Sequence, residues 1–594
     1  MLTKWTVENF KSIVNETSVS LAPLTIFTGP NGAGKSVFLQ SILLVAQTLP
    51  NKRPGTAVIL NGELDKIGSF NCVRSSDSQK FPISLGWGYS APGNGQTAKT
   101  LDFYAQFSFV LDIRAPDFDY ENSSLKVDKF SVSNCPSIPK VKKQYELTIS
   151  QNNDVSKKIK NLDLYKYNLD VIDVIDNLLN DTREPLNYDV DITGDISRVL
   201  GGPFLVPILI GCSFVNFLPR KLIAIIDPHK EISNLFYLAL TNPKIEKSIC
   251  DNKNFRTILF PNKVIKTLKQ KLGQHFKIFS DNIALNAFNL GAYFSVLASL
   301  TAERKKEIYD AFSNIKGLKS LIDNIVNDDD ALSQTGPPPI FARAQENGEL
   351  APFIKEYDIE DGYFASLTNI ASINFRYLGP IREKPKAFYQ SYKLPYNSNI
   401  GINGQLSAVV LFRNRQKYVN YIPSRVFDLK NEPIKSESVT FIEAVRDWLK
   451  YLGLAESLSV LENQFRNLEV NVARSLDELE RDLTEVGLGV SQVLPVLVMG
   501  LIAEKNEFLI FDRPEAHLHP QAQARLADFF LSLIVLGKNC LIETHSERLI
   551  NHLRVRRIKE ETSQIVQDNL KIYYVEKIGG ESNFQEVSGG PGSC

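Results

Sequence analysis

The chain has 594 residues, and its 67 Lys+Arg against 67 Asp+Glu give a formal net charge of zero. That balance excludes a uniformly basic nucleic-acid coat and a strongly acidic tail, though not a local basic groove. The length suffices for about four average domains and for an apolar core that needs no disulfide or metal staple. The six cysteines are scattered without a CxxC pair, which argues against a zinc ribbon and fits a reducing compartment.

MLTKWTVENFKSI opens the chain without the apolar run of a secretory signal, so a cytoplasmic location is expected. Thr3 to Val7 and Leu24 to Thr28 read as strands, and Ser36 to Leu49 is apolar at helical spacing. Between the second strand and that helix stands Gly29-Pro30-Asn31-Gly32-Ala33-Gly34-Lys35-Ser36, which fits G-x-x-x-x-G-K-[ST] in the strand–loop–helix setting the motif requires. The glycines let main-chain N–H groups curl inward around phosphate oxygens, and the helix start adds its positive end. Lys35 is expected to reach the β and γ phosphates and the Ser36 hydroxyl to ligate Mg²⁺.

Residues 81–170 carry short alternating runs at Ile83 to Tyr89, Tyr104 to Leu111, Leu125 to Val132 and Tyr145 to Ile149, the pattern of an antiparallel β lobe. Lys140, Lys142, Lys143, Lys157, Lys158 and Lys160 form a basic cluster there. It reads as a solvated face, with a DNA-backbone contact over Lys140 to Lys160 as the alternative. Residues 171–335 are expected to be a mainly helical insertion, with helical spacing in Val264 to Phe279 and Leu285 to Val326. Within it, Leu200 to Pro219 has no charge but is broken by Gly and Pro, so a buried core segment is expected rather than a membrane span. The acidic run at 328–330 and Gly336-Pro337-Pro338-Pro339 mark a linker.

From 370 to 594 strands and helices alternate again. Phe508 to Phe511 is an apolar strand ending at Asp512, the carboxylate a phosphate loop needs beside it for the Mg²⁺ shell. A second apolar strand, Cys540 to Thr544, ends at His545. Upstream, Gly487-Leu-Gly-Val-Ser491-Gln492 begins an apolar helix whose N-terminus is a second anion-binding end, able to complete a partner's site in a head-to-tail dimer. His517 and His519 lie near Glu515, but a metal site is not expected there.

These motifs resemble the ABC-type ATPases of the RecF/SMC/OLD group, and more closely the bacterial AAA-annotated ATPases with an uncharacterised C-terminal domain found in Septu-type and retron-associated anti-phage defence. The match rests on ENFKSI at 8–13, the phosphate loop, LNGELDKIGSF at 60–70, YLGPIREKP at 377–385, EVGLGVSQVLPVLVMGLI at 485–502, and the segments around Asp512 and His545. The resemblance implies an α/β fold. Residues 1–80 and 370–594 would build one ABC-type head, with the β lobe and the helical globular insertion between them. It implies ATP and Mg²⁺ as ligands, Lys11 and Ser12 near the nucleotide, Ser491 on the γ-phosphate across a homodimer, and His545 as the switch histidine. Gln40, Gln47 or the segment from 60 to 75 would stand for the glutamine loop.

One departure matters. In such ATPases the catalytic glutamate directly follows the acidic residue, whereas Arg513 follows Asp512 here. A cation is no general base for water. Glu515 is the nearest substitute, and slow hydrolysis is expected. The short stretch from 546 to 594 leaves no room for a Toprim nuclease, so a separate effector such as a nuclease or toxin is expected. A DNA-processing ATPase of RecF type and a nucleotide-binding scaffold with negligible hydrolysis stand as alternatives.

Overall fold

The structure is a computed structural model. It describes residues 1–51, 56–75, 82–91, 101–111, 125–134, 145–151, 188–194, 208–226, 228–243, 246, 256–284, 287–326, 345–346, 349–350, 353–358, 368–390, 399–428, 434–475, 477–558 and 560–587. The Lys140 to Lys160 cluster, apart from its middle, and the 328–339 linker lie outside the described residues. The chain forms two compact units. One comprises Met1–Asp128, Cys135–Pro139 and Thr368–Cys594; the other comprises Lys129–Asn134 and Lys140–Leu367.

The first unit is α/β. Its six-stranded sheet runs in the order Phe375–Leu378, Phe508–Asp512, Asn539–Glu543, Leu24–Thr28, Leu570–Ile578, Glu581–Glu586. All neighbours are parallel except the final pair, a hairpin. Phe508–Asp512 is buried throughout, Asn539–Glu543 from Cys540 on, and Leu24–Thr28 up to Phe27, which is why they read as continuous apolar runs rather than alternating ones. Thr25 and Leu541, far apart in sequence, are thus register partners, and segments from both ends of the chain build one sheet.

Helices Phe441–Tyr451, Leu488–Ile502 and Pro520–Val535 supply much of one apolar core of this unit, and helix Lys35–Thr48 is buried along most of its length. The fully buried Trp448 packs edge-on against Tyr451 and Phe529. Asp528, completely buried, accepts from Arg556 Nε at 2.7 Å and Nη2 at 2.9 Å and from the Tyr451 hydroxyl at 2.7 Å, with His552 Nε2 also at 2.9 Å. Arg556 also donates to the Phe427 carbonyl at 2.8 Å. One carboxylate thereby joins three helices and the turn at 424–427. A second sheet pairs Leu2–Glu8 with Thr17–Ser20 and with Ile83–Ala91, which pairs with Leu101–Leu111, all antiparallel. The first strand of the chain and the first strands of the expected β lobe therefore share one sheet.

In the second unit, Lys129–Ser133 pairs with Tyr145–Gln151, which pairs with Tyr188–Gly194. Phe353–Asp358, Leu218–Ile226 and Ile208–Val215 form another antiparallel sheet. Among the described residues of 171–335, three strands precede six helices, the first of them Pro228–Thr241. YDVDITG alternates, and the runs from 208 to 226 are rich in β-branched residues, so strands form there. The uncharged segment from Leu200 contributes part of a strand pair, with Ile210, Cys212 and Phe217 buried. The helical spacing over Val264 to Phe279 falls on two helices, Asn262–Leu272 and Gln274–Asn282, separated at Gly273 with φ 49°. Among the described residues no helix is long and apolar enough to cross a membrane.

Candidate nucleotide site

The strand Leu24–Thr28 delivers the chain to Gly29, whose φ is 139°; a Cβ there would lie 2.0 Å from the Val575 carbonyl oxygen on the adjacent strand. Gly34, φ 107°, is equally exacting, because its Cβ would fall 1.9 Å from Ser582 Oγ. No side chain fits either place, and a left-handed backbone would strain any L-residue at Gly34. Gly34→Ala is therefore expected to weaken ATP binding by about 10-fold, with part of the loss recovered in Gly34→Ala/Ser582→Gly, both read by titration with a fluorescent ATP analogue.

Helix Lys35–Thr48 starts at the loop with no acidic residue of its own in its first turn, and its positive end faces the loop. Lys35 is almost fully buried, and its ammonium donates to the carbonyls of Gly29 at 2.9 Å and Pro30 at 2.7 Å. Burial lowers its pKa, with Glu543 opposing. Ala33 is buried and its N–H points to the Pro30 carbonyl. A cavity of about 300 Å³ opens over the loop, with Asn31, Gly32, Gly34, Lys35 and Ser36 in its wall. Lys11, Lys577 and Arg513 bring further positive charge to that wall, and Ser12 also lines it. Lys11 is held by Gln40 Oε1 at 2.7 Å, and Ser12 Oγ shares a 2.8 Å hydrogen bond with Ser582 Oγ. Gln47, by contrast, is spent on the main chain at Ile59 and Asp65.

The carboxylates stand at the strand ends. Asp512 and Glu543 are register partners on neighbouring parallel strands. Glu543 Oε1 accepts the Ser36 hydroxyl at 2.9 Å. Glu515 Oε1 accepts the His545 main-chain N–H at 2.8 Å, so Glu515 holds the histidine in place. Asp512 Oδ1, Glu515 Oε2 and Glu543 Oε2 are buried with no hydrogen-bond partner. Burial, then the charge of Glu543, pushes the Asp512 carboxyl up to about 7, and burial also raises Glu543. Buried oxygens left without donors beside a serine hydroxyl are the hard ligand set a Mg²⁺ ion takes, together with phosphate oxygens. Ser36, Asp512 and Glu543 fit that ion, whose contribution when bound is to neutralise charge between phosphates and carboxylates.

Burial, Lys35 and Arg513 hold the pKa of His545 below the usual histidine value, against the Gly29 main chain next to it, which favours the protonated imidazole. Arg513 has φ 48°, donates its N–H to the Glu543 carbonyl at 2.9 Å, and places Nε 3.9 Å from Asp512. Arg382 is buried, donates Nη2 to the Asp512 carbonyl at 3.1 Å, and has Nε and Nη1 unpaired. Ser491 and Gln492 are not brought to this cavity. Both are buried at the start of Leu488–Ile502, where Ser491 Oγ donates to its own helix at Leu488. Gly489 there lies beside His517 and Leu518.

Residues 1–550 match the family described as AAA ATPase domain. The chain belongs to that family. It is a nucleotide-binding ATPase, and the phosphate loop described above is the feature that the family's chemistry requires. Solved structures similar to this ATPase include the Smc head domain with an extended coiled coil bound to the C-terminal domain of ScpA from Pyrococcus furiosus, at 12% identity over 99% of this chain and 96% of that one, with a TM-score of 0.30. The SMC head domain from Thermotoga maritima follows at 10% identity, 99% of each chain and a TM-score of 0.29. Overlaps this low carry no functional inference. No curated protein matches the chain.

Four residues of the site escape a reading of motifs. Glu543 ends LIE as Asp512 ends FLIF, so the same signal (an apolar strand closed by a carboxylate) marks it. Arg382 sits inside the quoted YLGPIREKP. Ser582 and Lys577 reach the loop only because Leu570–Ile578 lies beside Leu24–Thr28 in the sheet.

Proposed function

We propose that this ATPase binds ATP with Mg²⁺ on the Gly29–Ser36 loop and acts as a dimeric, slowly hydrolysing switch that senses a trigger and controls a separate effector, such as a nuclease or toxin, in anti-phage defence. The observation that carries the nucleotide reading is the cavity itself: Lys11, Lys35, Arg513 and Lys577 face a single carboxylate, Glu543, in its wall, a charge balance suited to a polyphosphate. Defence and effector control rest on the sequence resemblance. Slow turnover is supported by Arg513, which occupies the place beside Asp512 where a glutamate would activate water and adds positive charge there.

The dimer reading is supported by helix Leu488–Ile502. Its N-terminal turn has no acidic residue or side-chain cap, and Leu488 is half exposed, so a second chain's phosphates could meet its free N–H groups. Two measurements test the proposal. Arg513→Glu is expected to raise ATP turnover by about 10²-fold or more while Arg513→Ala raises it little; equal rates in wild type and Arg513→Glu would sink the slow-switch reading. Wild type with ATP is expected to sediment as a dimer and Ser491→Arg as a monomer; a monomer in both cases counts against the dimer.

A further inference from the structure

Among the described residues, Glu543 is the one acidic residue in the wall of the cavity over the phosphate loop, and Asp512 is not part of that wall. Two further observations separate it from an ordinary serine partner. Its Oε1 takes the Ser36 hydroxyl proton at 2.9 Å across a sequence gap of 507 residues, while its Oε2 is buried with nothing to accept from. A purely structural glutamate at a buried position would have both oxygens satisfied. Its main chain is also fixed on both sides: it pairs in register with Phe27 on the loop strand and with Asp512 on the other, and its carbonyl accepts the Arg513 N–H. The side chain therefore projects from a rigid strand end, the kind of support that positions a group accurately.

A serine oxygen that ligates a metal must direct its lone pair at the ion and its proton elsewhere. Glu543 Oε1 already accepts that proton, which turns the Ser36 lone pairs toward the remaining open direction, the cavity. The second oxygen, unpaired, is available to a water of the ion's shell, since Mg²⁺ dehydrates reluctantly and keeps several waters. Outer partners of this kind orient metal ligands and raise their basicity.

We propose that Glu543 is a positioning residue for the nucleotide's Mg²⁺, orienting Ser36 and accepting from the ion's water shell, so that the metal-dependent part of ATP affinity runs through the Ser36–Glu543 pair. The proposal rests on the nucleotide reading of the same loop. Its negative charge near the phosphates is unfavourable without a cation, so Glu543 makes ATP binding conditional on Mg²⁺.

The test is the affinity of full-length protein for a fluorescent ATP analogue, measured in Mg²⁺ and again in EDTA. Glu543→Gln, nearly isosteric, is expected to weaken binding in Mg²⁺ by about 10- to 100-fold and to leave binding in EDTA unchanged or tighter. Glu543→Asp, which keeps the charge but withdraws it from Ser36, is expected to lose part of the Mg²⁺ enhancement. Ser36→Ala/Glu543→Gln should be no weaker in Mg²⁺ than Ser36→Ala alone, because the two residues act as one unit. Equal losses in both media, no loss in Mg²⁺, or additive effects of the two substitutions would each overturn the proposal. No saturable binding by wild type in either medium would sink the nucleotide reading itself, and this proposal with it.

Discussion

Lys35→Ala is expected to weaken ATP binding by about 100- to 1,000-fold. The Lys35 ammonium is held at the loop by two carbonyls, so it is pre-positioned rather than recruited, and its buried setting strengthens each contact it makes to phosphate. Losing two charge-assisted hydrogen bonds at about 1.5–2 kcal/mol each, the lower part of their usual range, gives a loss of that size. The variant should fold, because alanine is a good helix former at the first position of Lys35–Thr48, and its melting temperature without nucleotide should stay close to that of wild type. Binding within a factor of about three of wild type would place ATP elsewhere on the chain.

Asp528→Ala should have the largest effect on stability, about 3–5 kcal/mol. Removing the carboxylate leaves Arg556 charged and buried, with only the Phe427 carbonyl still accepting, and leaves the Tyr451 hydroxyl and His552 without their shared partner. The loss should appear as a lower urea midpoint with an unchanged slope. The same cluster sets an acid limb. Burial pushes the Asp528 carboxyl up, but hydrogen bonds from His552 and Arg556 outweigh it and hold the pKa below the ordinary 3.8. A depressed carboxyl stabilises the fold at pH values above its unfolded pKa, and that stability disappears as pH falls through the folded one. Wild type should therefore lose stability from about pH 4 downward more steeply than Asp528→Asn. Parallel acid limbs for the two proteins would contradict this account of the cluster.

What could be read from the sequence was what is local. The phosphate loop is eight consecutive residues between a strand and a helix, and FLIFD announces its own buried strand and terminal acid. Both stand as expected in the structure. Pairing across long separations was less legible. Leu2–Glu8 carries the right alternation for a strand, but nothing in it says that its neighbour is Ile83–Ala91. Ser582 faces Gly34 because of strand order alone. The helical spacing from Val264 to Phe279 shows a different limit. The apolar spacing Val264, Leu268, Leu272, Phe276 and Phe279 continues unbroken through Gly273, so periodicity joined two helices that a left-handed glycine separates. The expected strand Cys540 to Thr544 holds Glu543 inside it, and only the observed strand end at Glu543 shows that its carboxylate repeats the pattern that identifies Asp512.

The occupancy proposed for the loop and its carboxylates is one nucleotide with one divalent cation per chain. Isothermal titration of wild-type protein with a slowly hydrolysed ATP analogue, in Mg²⁺ and in EDTA, tests this most directly. A single saturable site per chain, bound at least about 10-fold more tightly with Mg²⁺, is the expected result. Absence of saturable binding, or affinity indifferent to Mg²⁺, would contradict it.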